Sequence, residues 1–509
     1  MEANKLDILF IHPPAVINKK SNFLDADVAY SHQFVALPVG VFNMANQLEL
    51  NGYSAKIFNL GEKLIELTSE NDFKQILLSR IEKYKPKIVG IDIHWWVHSA
   101  GGIETARVIK AYDPKIKVVI GGITASYFAE QILEEYACVD FVLRGECDDA
   151  IISFVNECTK PIFEETNISN LTYRKNNKIY NNLIKLPQIS CTFDITRYDL
   201  LLDIPIINQD RALIPITRGC TECCSYCGAA KGSYSHIMKR DTCAIIPAEI
   251  LVDLIYKNKI KGRDKIYLYG DLRQGGEKYL NEFFEYFSRS EIKNIHIVFE
   301  MFYIPDIEYI QKWDSLAKEK NMSLEATISP DSGDEKSRLQ IGRIYKNEDI
   351  LSTCELLKTY NIPLSVYFLL GLPLDSDKTI SNTLKIADNI VAIYAEKFIK
   401  NNLRHEIIGY EFMQVPDVGS EIYRNSTKYG VTIYFNKFKN MVDSIQSAKH
   451  WSKLIGFSTK YLQKNEFVEK YYYVKKEVYK LYNKYNVISN DEYNLKLNQL
   501  SLDENKSHI

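Results

Sequence analysis

The chain has 509 residues, 46% hydrophobic and 25% charged, with a net charge of -2 and a pI near 6.5. That length exceeds one ordinary core and predicts two or three domains of globular composition, while the balanced charge excludes a global basic field of the kind that binds nucleic acid. Ten cysteines, four of them clustered, do not form a small secreted disulfide framework, and no run is apolar and long enough for a signal peptide or a membrane span, so a reducing, oxygen-poor cytoplasm is expected.

Residues 1–160 alternate strand-like and helix-like segments. The strands are predicted at Leu6–Ile11, Ser54–Phe58, Ile88–Ile93, Lys117–Ile120 and Asp140–Leu143, with helices such as Val39–Leu50, Ile103–Ala111 and Ala125–Tyr136 between them. Such alternation means parallel pairing and a doubly wound, Rossmann-like α/β sheet, whose ligands bind at the carboxyl ends of its strands. The turns there are tight or glycine-rich: His12-Pro13-Pro14, Gly121-Gly122 and Arg144-Gly145-Glu146. No Gly-x-Gly-x-x-Gly dinucleotide fingerprint is present. Residues 161–204 read as a connector with one β-hairpin, Leu171–Arg174 and Lys178–Tyr180 flanking Lys175-Asn176-Asn177.

Residues 205–425 alternate again. Strands are predicted at Ala212–Ile216, Lys265–Tyr269, Asn294–Glu300, Ser323–Ile328, Leu364–Leu370 and Glu406–Phe412, six units that suggest an open (β/α)6 partial barrel with its chemistry at the carboxyl-terminal mouth. Directly after the first of these strands comes Thr217-Arg218-Gly219-Cys220-Thr221-Glu222-Cys223-Cys224-Ser225-Tyr226-Cys227. Cys220, Cys224 and Cys227 read as Cys-x-x-x-Cys-x-x-Cys. Three thiolates on one loop suit a [4Fe-4S] cluster and leave its fourth iron open to a substrate or cofactor, an arrangement for chemistry rather than scaffolding. A structural zinc site is the rival reading, but zinc ribbons set two Cys-x-x-Cys pairs about a dozen or more residues apart. Cys223 is read as a bystander. Residues 426–509, rich in Tyr, Lys and Asn, predict a small helical C-terminal domain whose basic residues form a solvated amphipathic face.

The cysteine loop, with Tyr226 before its third cysteine, resembles the signature of the radical S-adenosylmethionine (SAM) enzymes. The resemblance implies that the open iron chelates SAM, which one electron then cleaves to methionine and a 5′-deoxyadenosyl radical. It further implies cofactor contacts along the barrel. Gly270 and Asp271 resemble the Gly-Gly-Glu that holds the methionine amino group. Ser329 stands near the ribose, Arg338 resembles the arginine that pairs with the carboxylate, and Gly371 belongs to the turn beside the adenine. Arg338 reads equally as a solvated helix charge. Val415-Pro416-Asp417-Val418-Gly419-Ser420 resembles the turn that closes the core.

The N-terminal half resembles the cobalamin-binding domain of the B12-dependent subgroup. The matching pieces are Pro13-Pro14, Pro38-Val39-Gly40, Val89-Gly90-Ile91, Val119-Ile120-Gly121-Gly122-Ile123-Thr124 and Phe141-Val142-Leu143-Arg144-Gly145-Glu146. The Asp-x-His-x-x-Gly motif is missing after the first strand, which implies cobalt without a protein histidine. His94, Trp95, Trp96 and His98 follow the third strand, where a corrin would meet them; they read equally as packing. The family thus implied is that of cobalamin-dependent radical SAM enzymes, and the expected reaction is methylation of an unactivated carbon, with Glu300, Tyr367 and Tyr410 at the substrate. A cobalamin-containing cyclase or ring-rearrangement enzyme shares these motifs. A methylthiotransferase would want cluster cysteines early in its N-terminal domain, whereas Cys138, Cys147 and Cys158 come late. The expected partners are a small-molecule, natural-product or lipid substrate and an electron donor such as ferredoxin or flavodoxin.

Overall fold

The computed structural model describes residues 5–15, 38–65, 70–188, 194–203, 211–401 and 407–507. They form two compact units, each drawing on several stretches of chain: Met1–Ile207 with Gly232–Thr242 and Tyr434–Leu454, and Asn208–Lys231 with Cys243–Ile433 and Ile455–Ile509.

The first unit is built on a seven-stranded sheet of β1 (Ile8–His12), β2 (Ala55–Asn59), β3 (Ile88–Asp92), β4 (Lys117–Gly121), β5 (Phe141–Leu143), β6 (Leu171–Lys175) and β7 (Lys178–Asn181), ordered β2-β1-β3-β4-β5-β6-β7. The first five are parallel. Every residue of β1 and β3 is buried, as in a sheet covered on both faces. Helices Val39–Leu50, Glu70–Tyr84 and Ser99–Tyr112 stand between consecutive parallel strands, which gives the doubly wound form expected. The strand order reverses between β1 and β3, so the crevice that such sheets offer to ligands opens at the carboxyl ends of those two strands.

Two expectations for this unit change. The predicted helix Ala125–Tyr136 is two short helices, Ile123–Tyr127 and Ala129–Glu135. The hairpin forms, with Asn176 and Asn177 at φ 52° and 59°, the left-handed values that a two-residue turn needs and Asn tolerates. It is not a free connector, however: β6 buries Leu171, Thr172 and Tyr173 and pairs antiparallel with β5, extending the sheet. The junction expected at 204–205 lies outside the described residues.

The second unit holds β8 (Arg211–Pro215), the short antiparallel pair β9 (Thr217–Arg218) and β10 (Ala244–Ile245), then β11 (Lys265–Tyr269), β12 (His296–Met301), β13 (Ser323–Asp331), β14 (Leu364–Leu370) and β15 (Ile408–Phe412). The large sheet runs β15-β14-β13-β12-β11-β8, parallel throughout. A helix stands between each pair of consecutive strands in it, the expected βα progression. Glu406, with which the last predicted strand began, lies outside the described residues. Side chains alternate across this sheet. Phe299 of β12 faces the helices, stacked on Trp313 at 4.7 Å, whereas Tyr267 and Glu300 meet on the opposite, inner face.

The tail does not form one separate domain. Helix Phe438–Ser447 belongs to the first unit, its apolar stripe starting with Phe438 against Phe128 and Tyr136, at 5.9 and 5.8 Å between rings. In the second unit β16 (Val431–Ile433) pairs with β17 (Phe457–Thr459), and helices Lys464–Lys484 and Asn490–Ser507 follow. The Tyr482 hydroxyl accepts from Ile408 N–H at 2.8 Å and lies 3.1 Å from the Ile408 carbonyl, covering part of the β15 edge.

Candidate functional site

The cysteine loop leaves β9 through Gly219, whose φ of 75° suits a residue without a side chain. Sequence-distant segments fix its path. Ser225 N–H donates to the Ile341 carbonyl at 3.0 Å, Ile422 N–H to the Ser225 carbonyl at 2.8 Å, and Asp417 N–H to the Tyr226 carbonyl at 3.0 Å. The Asp417 carboxylate accepts from Gly228 N–H at 2.9 Å. The turn resembling the family's closing Pro-x-x-Gly-Ser thus clamps the loop.

Cys224 is buried, Cys220 and Cys227 half-buried, and Cys223 exposed. Burial pushes the Cys224 thiol up to about 12 against the opposing pull of Arg343, and burial raises Cys220 and Cys227 as well; Cys227 feels both other thiols. Donors already point at the sulfurs. Cys220 Sγ lies 3.4 Å from Glu222 N–H and 3.2 Å from Gln274 Nε2, and Cys227 accepts from the Ala229 backbone. Three interacting thiols with donors of this kind fit the expected [4Fe-4S] cluster.

The barrel-mouth residues are sorted less simply. Gly270 sits at φ 107° and donates its N–H to Glu300 Oε2 at 2.7 Å. Asp271 is wholly buried, and its carboxylate is spent on Arg273 N, Nε and Nη2, at 2.9, 2.9 and 2.6 Å, and on Phe302 N–H at 2.8 Å. The guanidinium two residues along forms a fork that closes this acid to an incoming amino group. Arg338 is also fully buried, reaching the Ser332 carbonyl at 3.0 Å, Asn347 Oδ1 at 2.6 Å and the Tyr345 ring at 5.5 Å. It is not a solvated charge.

The guanidinium beside the cysteine loop is Arg343. Its Nε lies 3.2 Å from Asp331 Oδ2, its Nη1 donates to the Phe302 carbonyl at 2.9 Å, and it acts electrostatically on Cys224 and Tyr226. Tyr226 hydrogen-bonds Asp331, which has a left-handed φ of 64° at the register shift of β13 against β14. Gly342 sits at φ 97°, where a Cβ would stand 2.9 Å from the Cys223 carbonyl. Sequence reasoning singled out Arg338 and missed Arg343. The available signal was Gly342, followed directly by an arginine. The Ser329 carbonyl accepts from Tyr345 Oη at 3.3 Å. Gly371, at φ 112°, donates to Asp375 Oδ2 at 2.8 Å, and burial pushes that carboxyl up to about 7.

Of the three residues expected at the substrate, Glu300 and Tyr367 belong to the inner side of the sheet. Glu300 Oε1 accepts from Tyr267 Oη at 3.1 Å, and Tyr367 interacts electrostatically with Tyr267. Tyr410 does not join them. Strand alternation turns it toward the helix layer, where it is buried and its hydroxyl hydrogen-bonds Thr383 of helix Asp377–Asn401.

In the first unit the switch-point edge brings His94, Gly121 and Gly122 together at the ends of β3 and β4, and Pro14 after β1 packs against Gly101. A Cβ at Gly101 would lie 1.9 Å from the Pro14 carbonyl, and one at Gly122, φ 108°, 2.6 Å from the Ile93–His94 backbone. Pro13 is buried beside them. Gly145 follows β5, its N–H on Ser126 Oγ at 2.9 Å. Gly40, in the first turn of helix Val39–Leu50, has nothing within 4 Å of a Cβ position, and Gly121 only the Leu143 carbonyl at 3.5 Å. Bare backbone of this kind fits the close approach of a planar corrin. Sequence reasoning missed the pair His12 and Asp92, Nδ1 to Oδ2 at 2.9 Å, which only the pairing of β1 with β3 reveals. His12 is fully buried against the His98 ring at 4.5 Å. Burial lowers the His94 pKa, which favours the neutral imidazole. Trp96 is packing, 5.5 Å from Phe435.

Two modules on one chain define its class. Residues 214–387 match the Radical SAM superfamily and residues 27–155 the B12 binding domain. The chain therefore carries both domains of the cobalamin-binding radical SAM proteins. The anaerobic magnesium-protoporphyrin IX monomethyl ester cyclase of Rubrivivax gelatinosus is 26% identical over 44% of the chain and 39% of that protein. An uncharacterized methyltransferase of Pyrococcus horikoshii is 28% identical over 33% of the chain and 37% of that protein. The matches thus span about two fifths of these relatives' lengths. The fold is shared with the radical SAM methyltransferase TsrM of Kitasatospora setae, solved with tryptophan substrate and a SAM analogue, at TM-score 0.59 and 12% identity over 84% of the chain and 78% of that one. It is shared also with the cobalamin-dependent radical SAM enzyme OxsB, solved with aqua-cobalamin, at TM-score 0.62 and 12% identity over 99% of the chain and 72% of that one. No helix among the described residues is long and apolar enough to cross a membrane.

Proposed function

We propose that the chain is a cobalamin-dependent radical SAM enzyme that methylates an unactivated carbon of a small-molecule, natural-product or lipid substrate, with electrons from a donor of the ferredoxin or flavodoxin kind. The observation that carries this reading is the trio of interacting thiols on one clamped loop after β8, in a chain that also holds a B12-binding domain. Cys220, Cys224 and Cys227 would hold the cluster, and the bare backbone at Gly40 and Gly121 would flank the corrin. When bound, these groups would supply a 5′-deoxyadenosyl radical and a transferable methyl group. The chain's own residues orient and shield. Arg343, held by Asp331, keeps a fixed positive charge beside Cys224. The inner face around Tyr267, Glu300 and Tyr367 would line the space for the reacting molecules.

A second reading, cyclisation or ring rearrangement, is favoured by the similarity to the Rubrivivax cyclase. The deciding experiment incubates anaerobically reconstituted protein with a candidate substrate, methyl-labelled SAM and a strong reductant. Methylation predicts one 5′-deoxyadenosine and one S-adenosylhomocysteine for each labelled product. Deoxyadenosine without S-adenosylhomocysteine, and a product without label, would establish the second reading instead.

A further inference from the structure

We infer that Glu300 anchors an ammonium-binding site on the inner face of the six-stranded sheet, taking a protonated ligand nitrogen between its carboxylate and the rings of Tyr267 and Tyr269. The inference rests on the reading that this face receives the reacting molecules. Glu300 lies near the carboxyl end of β12 and is only partly buried. Its Oε2 accepts from Gly270 N–H at 2.7 Å and its Oε1 from Tyr267 Oη at 3.1 Å, so each oxygen keeps a lone pair. Nearby acids are already matched: Asp271 with Arg273 at 2.6 Å and Asp331 with Arg343 at 3.2 Å. Glu300 makes no ion pair among the described residues. Burial pushes it up to about 7, the behaviour of a carboxylate short of a counter-cation, which a bound ammonium would reverse.

The tyrosines point to the same class of ligand. The Tyr267 and Tyr269 rings lie 4.8 Å apart, Tyr269 is 48% exposed, and its hydroxyl is within electrostatic reach of Glu300. Aromatic faces beside a carboxylate attract ammonium groups and repel anions. A protonated amine could be the aminoacyl end of SAM, since Asp271 is closed to it, or an amine of the substrate.

The test uses the full-length, anaerobically reconstituted protein at pH 8, where Glu300 is ionised. Saturation-transfer NMR with n-butylammonium, and with n-butyrate as the charge control, reads the site; calorimetry reads SAM affinity. Butylammonium should bind and butyrate should not, and Glu300→Gln should weaken butylammonium at least about tenfold, the loss of one charge-assisted contact. Tyr269→Ala, a half-exposed position that tolerates truncation, should weaken it several-fold. A parallel tenfold loss of SAM affinity in Glu300→Gln assigns the nitrogen to SAM, and unchanged SAM affinity assigns it to the substrate. Butylammonium bound equally by wild type and Glu300→Gln, or no better than butyrate, overturns the inference. Failure of the proposed reaction is read separately, from iron content and deoxyadenosine formation.

Discussion

Replacing Arg343 by Met tests how the cysteine loop is held. Arg343 and Asp331 form a buried pair, 7% and 5% exposed at 3.2 Å, and Arg343 also satisfies the Phe302 carbonyl. Removing one partner of a buried pair leaves an uncompensated charge and costs about 3–5 kcal/mol. At about 2 °C per kcal/mol for a unit of this size, the melting transition of the second unit should fall by about 6–10 °C. The loss should depend on pH. Burial already raises the folded-state pKa of Asp331. A carboxyl raised in the folded state loses stability as pH climbs from its unfolded value through its folded one, and the full penalty stands above that. Without Arg343 the folded value moves higher still, so Arg343→Met should be more damaging at pH 8 than at about pH 4, near the unfolded carboxyl value. Calorimetric scans of the anaerobic, metal-free protein at both pH values measure this. A transition within about 2 °C of wild type at both pH values, with full iron uptake after reconstitution, would refute the assignment of Arg343 as a buried counter-charge.

Cys220→Ala, Cys224→Ala and Cys227→Ala should each abolish both the cluster and SAM cleavage, whereas exposed Cys223→Ala should keep about four irons by chemical analysis. Because His12 is buried and paired with Asp92, paramagnetic resonance of the cob(II)alamin form should show no nitrogen hyperfine splitting; splitting that changes on labelling the histidines with nitrogen-15 would place a histidine on cobalt. Tyr410→Phe should cost about 1 kcal/mol in urea unfolding through loss of the Thr383 hydrogen bond, and a large loss of turnover per folded molecule would return Tyr410 to the substrate. Gly342→Ala, at φ 97° and 2.9 Å from the Cys223 carbonyl, should cost about 1–3 kcal/mol and lower iron retention, read by unfolding and iron assay.

Local periodicity and short motifs determined much of this protein in the sequence alone. The alternation of strand and helix fixed both parallel sheets, because side-chain period and segment length are properties of neighbouring residues. The cysteine spacing fixed the three candidate ligands for the same reason. Even the hairpin turn was readable, since Asn176-Asn177 supplies the left-handed conformation itself. What the sequence could not determine depended on partners far along the chain. Only the fold showed that Asp271 is closed by Arg273 and Phe302, that Arg338 is locked between Ser332 and Asn347, and that Arg343 is the cation beside Cys224. Tyr410 was misplaced because strand alternation shows that successive residues face opposite ways but not which face is the inner one. That assignment waits on the helix that packs there. The His12–Asp92 pair joins residues 80 positions apart through the pairing of β1 with β3, a register that no local pattern encodes.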